Sequence, residues 1–183
     1  MTRLLRFEDV SLRRGGRLLF EQLDLALGSG DALQITGPNG SGKSSLIRLA
    51  AGLLSAERGR VERSGLALAD DKLALDRELA LSHALRFWGE RVESAIDALG
   101  LAELAGVPVR LLSTGQLKRA TLARVAASGA PLWLLDEPLN ALDRDGAERL
   151  SALVAAHRNA GGAVVAASHQ GLPGEWRALE LGR

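Results

Sequence analysis

The sequence predicts an α/β fold, with strands and helices alternating at both ends of the chain and a helical insertion of roughly fifty residues between them. Three observations predict it. Residues 32–36, 132–136 and 163–167 are short apolar runs, typical of parallel strands covered on both faces. Helical spacing follows the first two runs: Leu46, Leu49, Ala50 and Leu53 after one, Ala147, Leu150, Val154 and His157 after the other. Between them the chain changes character and reads as helices punctuated by Gly100, Gly106 and Pro108.

Taken in order, Leu23, Leu25 and Leu27 alternate with Asp24 and Ala26, the period of a strand with one buried face. Residues 32–36 form a buried strand that ends at a glycine-rich loop, and the first helix follows the loop. In the middle, Leu81, Leu85 and Trp88 share one helical face, as do Val92, Ile96 and Leu99. A further helix starts after Ser113 and runs to about residue 127. Pro131 leads into LWLLD, a buried strand. Residues 143–159 read as a helix, 163–167 as a strand, and 176–181 alternate as a last edge strand.

The bulk properties narrow the classes. A chain of 183 residues is the size of one domain. Its net charge of +1 gives no general attraction to nucleic acid or an anionic membrane surface. It has no cysteine, hence no disulfide framework and no thiolate metal site. The first ten residues mix charges with apolar residues, unlike a secretory signal. The longest charge-free run, 159–174, is too short and too polar to span a bilayer. The expectation is a cytoplasmic chain able to dock on a membrane protein.

Chemistry concentrates in GPNGSGKSS, residues 37–45. Gly37, Pro38, Asn39, Gly40, Ser41, Gly42, Lys43 and Ser44 fit G-x-x-x-x-G-K-[ST] between a strand and a helix. Glycines let backbone N–H groups converge on phosphate oxygens, and the helix N-terminus adds partial positive charge there. Of the 23 basic residues only Lys43, Lys72 and Lys118 are lysine. A slim ammonium fits inside the curl of such a loop where a planar guanidinium does not. Lys43 is therefore the candidate for the β- and γ-phosphates, Ser44 for Mg²⁺, and Ser45 for the α-phosphate. In LWLLDEP, Asp136 emerges from a buried strand with the character of a water-mediated Mg²⁺ ligand, and Glu137 with that of a base for an attacking water. In LLSTGQLKR, Ser113-Thr114-Gly115-Gln116 opens a helix whose free N–H groups and hydroxyl suit an anion, or serve only as a cap.

The order of these three motifs resembles the ATP-binding cassette family, whose signature LSGGQ stands here as LSTGQ. The resemblance covers essentially the whole chain. It implies a P-loop NTPase fold with a mainly parallel sheet, an N-terminal antiparallel β part and a helical subdomain. The single domain 1–183 would divide into a RecA-like core, about 1–69 and 129–183, and the helical part, about 70–128. It implies MgATP as cofactor and a homodimer in which Ser113–Gln116 of one copy face Gly37–Ser45 of the other. LNALD, residues 139–143, resembles the D-loop, with Asp143 near the interface, and His169 the switch histidine that contacts the γ-phosphate. His83 and His157 are read as structural.

Two stretches depart from the family pattern. The family's place for an aromatic residue that stacks on adenine falls near Arg13 and Arg14 in LRRGGRLLF, the chain has no tyrosine, and Arg14 is the candidate contact. Residues 64–79 hold no glutamine for the Q-loop; Lys72 aligns to it, or Asp70 or Asp71 takes its place. Within the family, LQITGPNGSGKSSLIRLAAGL, ELALSHALRFW, LLSTGQLKRATLAR, LWLLDEPLNALDRDG and ASHQ are most similar to the ATP-binding subunits of cytochrome c maturation, read as powering heme export or heme-chaperone release. That implies integral membrane permease subunits as partners, at the cytoplasmic face of a bacterial inner membrane. No heme ligand is identified and no nucleic-acid partner is expected. Three alternatives remain: a cassette for another cargo, a nucleotide-gated module with little turnover, and a small P-loop kinase, against which LSTGQ and the Glu137–His169 pair argue.

Overall fold

Eight strands fall into two sheets, described for residues 3–182 of the computed structural model. The strands are β1 (Arg3–Arg14), β2 (Arg17–Gly28), β3 (Ala32–Thr36), β4 (Arg58–Arg63), β5 (Leu66–Ala69), β6 (Leu132–Asp136), β7 (Ala163–Ala167) and β8 (Arg177–Glu180). The helices are α1 (Lys43–Ala50), α2 (Leu81–Arg86), α3 (Val92–Ala98), α4 (Thr114–Ala127) and α5 (Arg144–Asn159). The order β2-β1-β4 makes an antiparallel sheet, and β5-β6-β7-β3-β8 a parallel one with β8 at its edge.

The apolar runs are explained by cover on both faces of the parallel sheet. Leu132 and Leu134 of β6 pack with Leu33, Ile35, Leu46, Ile47 and the antiparallel-sheet residues Leu5 and Phe7. The alternate residues, Trp133 and Leu135, pack on the other side with Leu150 and Val154 of α5 and with the apolar faces of α2, α3 and α4. Burying a leucine or phenylalanine side chain contributes about 1.5–3 kcal/mol. Strands that do so on both sides have no room for charge until they end, and β6 ends at Asp136.

Three strands, β1, β4 and the four-residue β5, went unread in the sequence. β1 pairs with β2 through several register shifts, one of them between Phe7 and Val10, where Asp9 has φ of 49°. Each bulge resets the two-residue alternation, so the pattern disappears from the sequence although the strand is long. β4 is mostly exposed and carries Arg58, Arg60 and Glu62; Arg60 pairs with Glu8 of β1 at 2.7 Å. Charge along an exposed edge strand hides it from an apolar search and also blocks edge-to-edge pairing. β1 and β2 are joined by Gly15-Gly16, with φ of 54° and 79°, the turn that suits a two-residue hairpin. Leu53 is not on the first helix, which stops at Ala50; Gly52 turns the chain at φ of 76° and Leu53 is 61% exposed.

Candidate functional site

Every motif in the site sits at the C-terminal end of a parallel strand, or on the helix that packs there. β3 delivers the glycine loop, β6 delivers Asp136 and Glu137, and β7 delivers Ser168 and His169. Open α/β sheets place ligands at this edge.

The loop 37–45 curls over a cavity of about 570 Å³ lined by Asn39, Gly40, Gly42, Lys43, Ser44, Ser45, Arg14 and Glu137. Gly37 has φ of 136°, and a Cβ on it would collide with the carbonyl of Leu181, so glycine is required there. Gly42 sits at the N-cap of α1 with φ of 105° and no side-chain cap, leaving the helix N–H groups to face the cavity. Lys43 is buried, and its Nζ donates to the carbonyls of Gly37 and Pro38 at 2.8 and 3.2 Å. Ser41 is buried against the loop as well, its Oγ 2.9 Å from where a Cβ on Gly37 would lie.

Ser44 Oγ donates to Asp136 Oδ1 at 3.0 Å, joining the loop to β6. Burial raises the Asp136 pKa above the usual carboxylate range, while the Ser44 hydrogen bond pulls it down. A hydroxyl and a carboxylate oxygen at this spacing beside a glycine-rich loop are hard donors of the kind Mg²⁺ takes. Among the described residues no cluster of three or more His, Asp or Glu could hold a metal unaided.

Glu137 follows with φ of 46°, a left-handed backbone that costs a non-glycine residue about 1–3 kcal/mol. Its N–H donates to Ala167 O at 2.8 Å, fastening the turn to β7. Glu137 Oε2 lies 2.9 Å from His169 Nδ1, so the carboxylate after β6 and the imidazole after β7 meet as a pair. The other ring nitrogen of His169 is 3.2 Å from the Gln170 side-chain amide.

That loop is held by a residue the sequence reading passed over. Gln34, buried in β3, donates to Gln170 O at 2.7 Å and accepts from Leu172 N–H at 3.4 Å. The signal was available: Gln34 is the one amide side chain inside the apolar run ALQIT.

Ser113 and Gln116 close a capping box on α4. Ser113 Oγ accepts from Gln116 N–H at 3.3 Å, and Gln116 Oε1 accepts from Ser113 N–H at 2.8 Å. The Ser113 hydroxyl proton stays available to an anion. A Cβ on Gly115 would lie 3.0 Å from Ala141 O, so α4 starts close against the loop before α5. Thr114 lines a second cavity with Asp136 and Glu137. Asp143 caps α5, accepting from Gly146 N–H at 2.8 Å.

Arg14 turns its guanidinium onto Ser45 Oγ at 3.3 Å and borders the loop cavity beside Gly15 and Leu19. Arg13 is turned away, 3.6 Å from Glu57. Lys72 is exposed and outside both cavities; its backbone N–H donates to Asp70 Oδ1 at 3.2 Å. Asp70 and Asp71 do line the second cavity. His83 is exposed on α2, and His157 stacks on Trp133.

A nucleotide-binding cassette is the class that this loop, carboxylate pair and capped helix define, and the chain belongs to the ABC transporter family, whose model matches residues 20–140. The cytochrome c biogenesis ATP-binding export protein CcmA of Sphingopyxis alaskensis is 56% identical over 92% of this chain and 91% of its own length. The protein of the same name from Novosphingobium aromaticivorans is 56% identical over 90% and 87%. Among solved structures, an ABC transporter ATP-binding protein from Pyrococcus furiosus superposes with a TM-score of 0.83 at 20% identity, covering 97% of this chain and 96% of that one. Among the described residues no helix is long and apolar enough to cross a membrane.

Proposed function

We propose that this chain binds and hydrolyses MgATP as a homodimer and drives membrane subunits that serve heme export, or release of heme from its chaperone, in cytochrome c biogenesis. The cargo reading rests on the names of the relatives. The hydrolysis reading rests on one observation: Glu137 faces the loop cavity and is paired with His169 at 2.9 Å.

The backbone amides of 37–45 and the Lys43 ammonium hold the phosphates, Lys43 exchanging its loop carbonyls for phosphate oxygens. Ser44 and Asp136 would hold Mg²⁺, which would supply charge neutralisation for the phosphates. Glu137 accepts the proton of the attacking water, and His169 orients Glu137 from the β7 side. Ser113, Thr114, Gly115 and Gln116 of a second copy complete the enclosure, with Asp143 near that contact. Arg14 borders the base end of the cavity and lays its flat guanidinium along the base. The helical part, about residues 70–128, moves with closure and docks on integral membrane permease subunits at the cytoplasmic face of the inner membrane.

Glu137→Gln keeps the shape and removes the base. It is expected to lower the ATPase rate at least about a hundredfold and to accumulate an ATP-bound dimer on gel filtration. A variant that hydrolyses ATP at the wild-type rate removes Glu137 from the role.

A further inference from the structure

Lys118 stands on the second turn of α4 and lines a cavity of about 470 Å³. Ser44 and Glu137 border both this cavity and the loop cavity, so the two meet at the phosphate end of the site. Four carboxylates line it: Asp70 and Asp71 beyond β5, Asp136 and Glu137 beyond β6. Two cations line it with them. Arg48 of α1 is 3.6 Å from Asp71. Lys118 Nζ reaches the backbone carbonyl of Asp136 at 3.5 Å.

An ammonium in this setting is a compact charge with three donors, and the partial burial of Lys118 strengthens its pull on nearby anions. Burial works against its charged form, and Asp136, Glu137, Asp70 and Asp71 work for it. The stretch 64–79 brings no side-chain amide to this cavity, and Lys72 lies outside it. Of the three lysines, Lys43 and Lys118 flank the Ser44–Asp136 contact, one lining each cavity.

We propose that Lys118 is a positioning residue for hydrolysis within its own chain: its ammonium, set against Asp136, holds the Asp136–Glu137 pair and the reacting end of the nucleotide in register. This rests on the ATPase reading above. It gives α4 two duties, with Ser113, Gly115 and Gln116 offered to a partner copy's nucleotide, while Lys118, two residues on, lines its own chain's cavity together with Thr114. A small rotation of that helix is then felt at both nucleotides.

The test uses the full chain assembled with its membrane subunits. Lys118→Met keeps the stem and removes the charge. We expect kcat for MgATP to fall at least tenfold while KM and the affinity for MgATP stay within twofold. Lys118→Arg should restore part of kcat. Lys118→Gln, which keeps a polar head, covers the case in which the methionine variant does not fold, and the same split is expected of it. A kcat within twofold of wild type, or a loss of kcat matched by equal loss of MgATP affinity, overturns the role of Lys118 alone. A wild-type assembly that neither binds nor turns over MgATP overturns the ATPase reading itself.

Discussion

His157 lies flat on Trp133, ring centroids 3.8 Å apart and planes 10° from parallel. Its Nε2 is buried with no hydrogen-bond partner. A Cβ on Gly162 would collide with the imidazole, so that glycine serves close packing. Burial is the main reason the His157 pKa is lowered from its usual value; the nearby backbone of Ala163 and Pro131 opposes the shift, and the positive charge of Arg91 adds a little to it. The sign of the pH effect follows. The unfolded chain protonates His157 near the ordinary value of about 6.5, the folded chain only at lower pH. The stability this gives is fully present above about pH 6.5 and is lost as pH falls toward the lowered folded value. Urea midpoints measured from pH 7.5 to 5.5 should therefore drop more steeply for the wild type than for His157→Phe, which keeps the stack. Parallel slopes would remove the assignment.

At the scale of elements, α4 carries both a structural and a functional demand on the same hydroxyl. Ser113→Ala should cost about 0.5–2 kcal/mol of stability through the lost cap, while Ser113→Gly costs only a few tenths. Denaturant melts of both variants, set beside their ATPase rates, separate the two demands. Equal losses of activity with unequal losses of stability place the hydroxyl at the nucleotide; activity that tracks stability places it only in the cap. Elements with local signals were legible: α4 and α5 begin where Ser113 and Asp143 announce a cap, and β3, β6 and β7 are apolar because both their faces are covered. Elements made by long-range pairing were not. β1 is broken by bulges and β4 is charged, and both exist because they pair with each other. The same division runs through the site. The loop 37–45 and Asp136–Glu137 are contiguous in the chain and could be read. Lys118 could not, because only the packing of α4 brings it to Asp136. Gln34 reaches Gln170 across a sequence separation of 136 residues.

At the scale of the molecule, a line of contacts joins the cavity of Lys118 to the outside of the helical part. β5 leads directly into Asp70 and Asp71. Arg124 of α4 donates to the Leu68 carbonyl in β5, and its guanidinium lies 4.6 Å over the ring of Trp88. Phe87 meets Trp88 edge to face at 5.3 Å and is itself 84% exposed. Among the described residues, three of the five large exposed apolar side chains, Leu79, Phe87 and Leu111, belong to the helical part. Scattered single apolar residues are ordinary on a surface, but one that continues into a packed path to the site is a candidate point of coupling. Under the proposed function, Phe87→Ser should leave MgATP binding by the isolated chain within twofold. It should also weaken co-purification with the membrane subunits and reduce the ATPase stimulation they give by about tenfold, the scale of 1.4 kcal/mol of coupling. Combining it with Trp88→Leu tests the path itself. Losses of stimulation that fall short of the product of the single effects show the two residues acting as one unit, while independent losses show that Phe87 contributes contact area and nothing more.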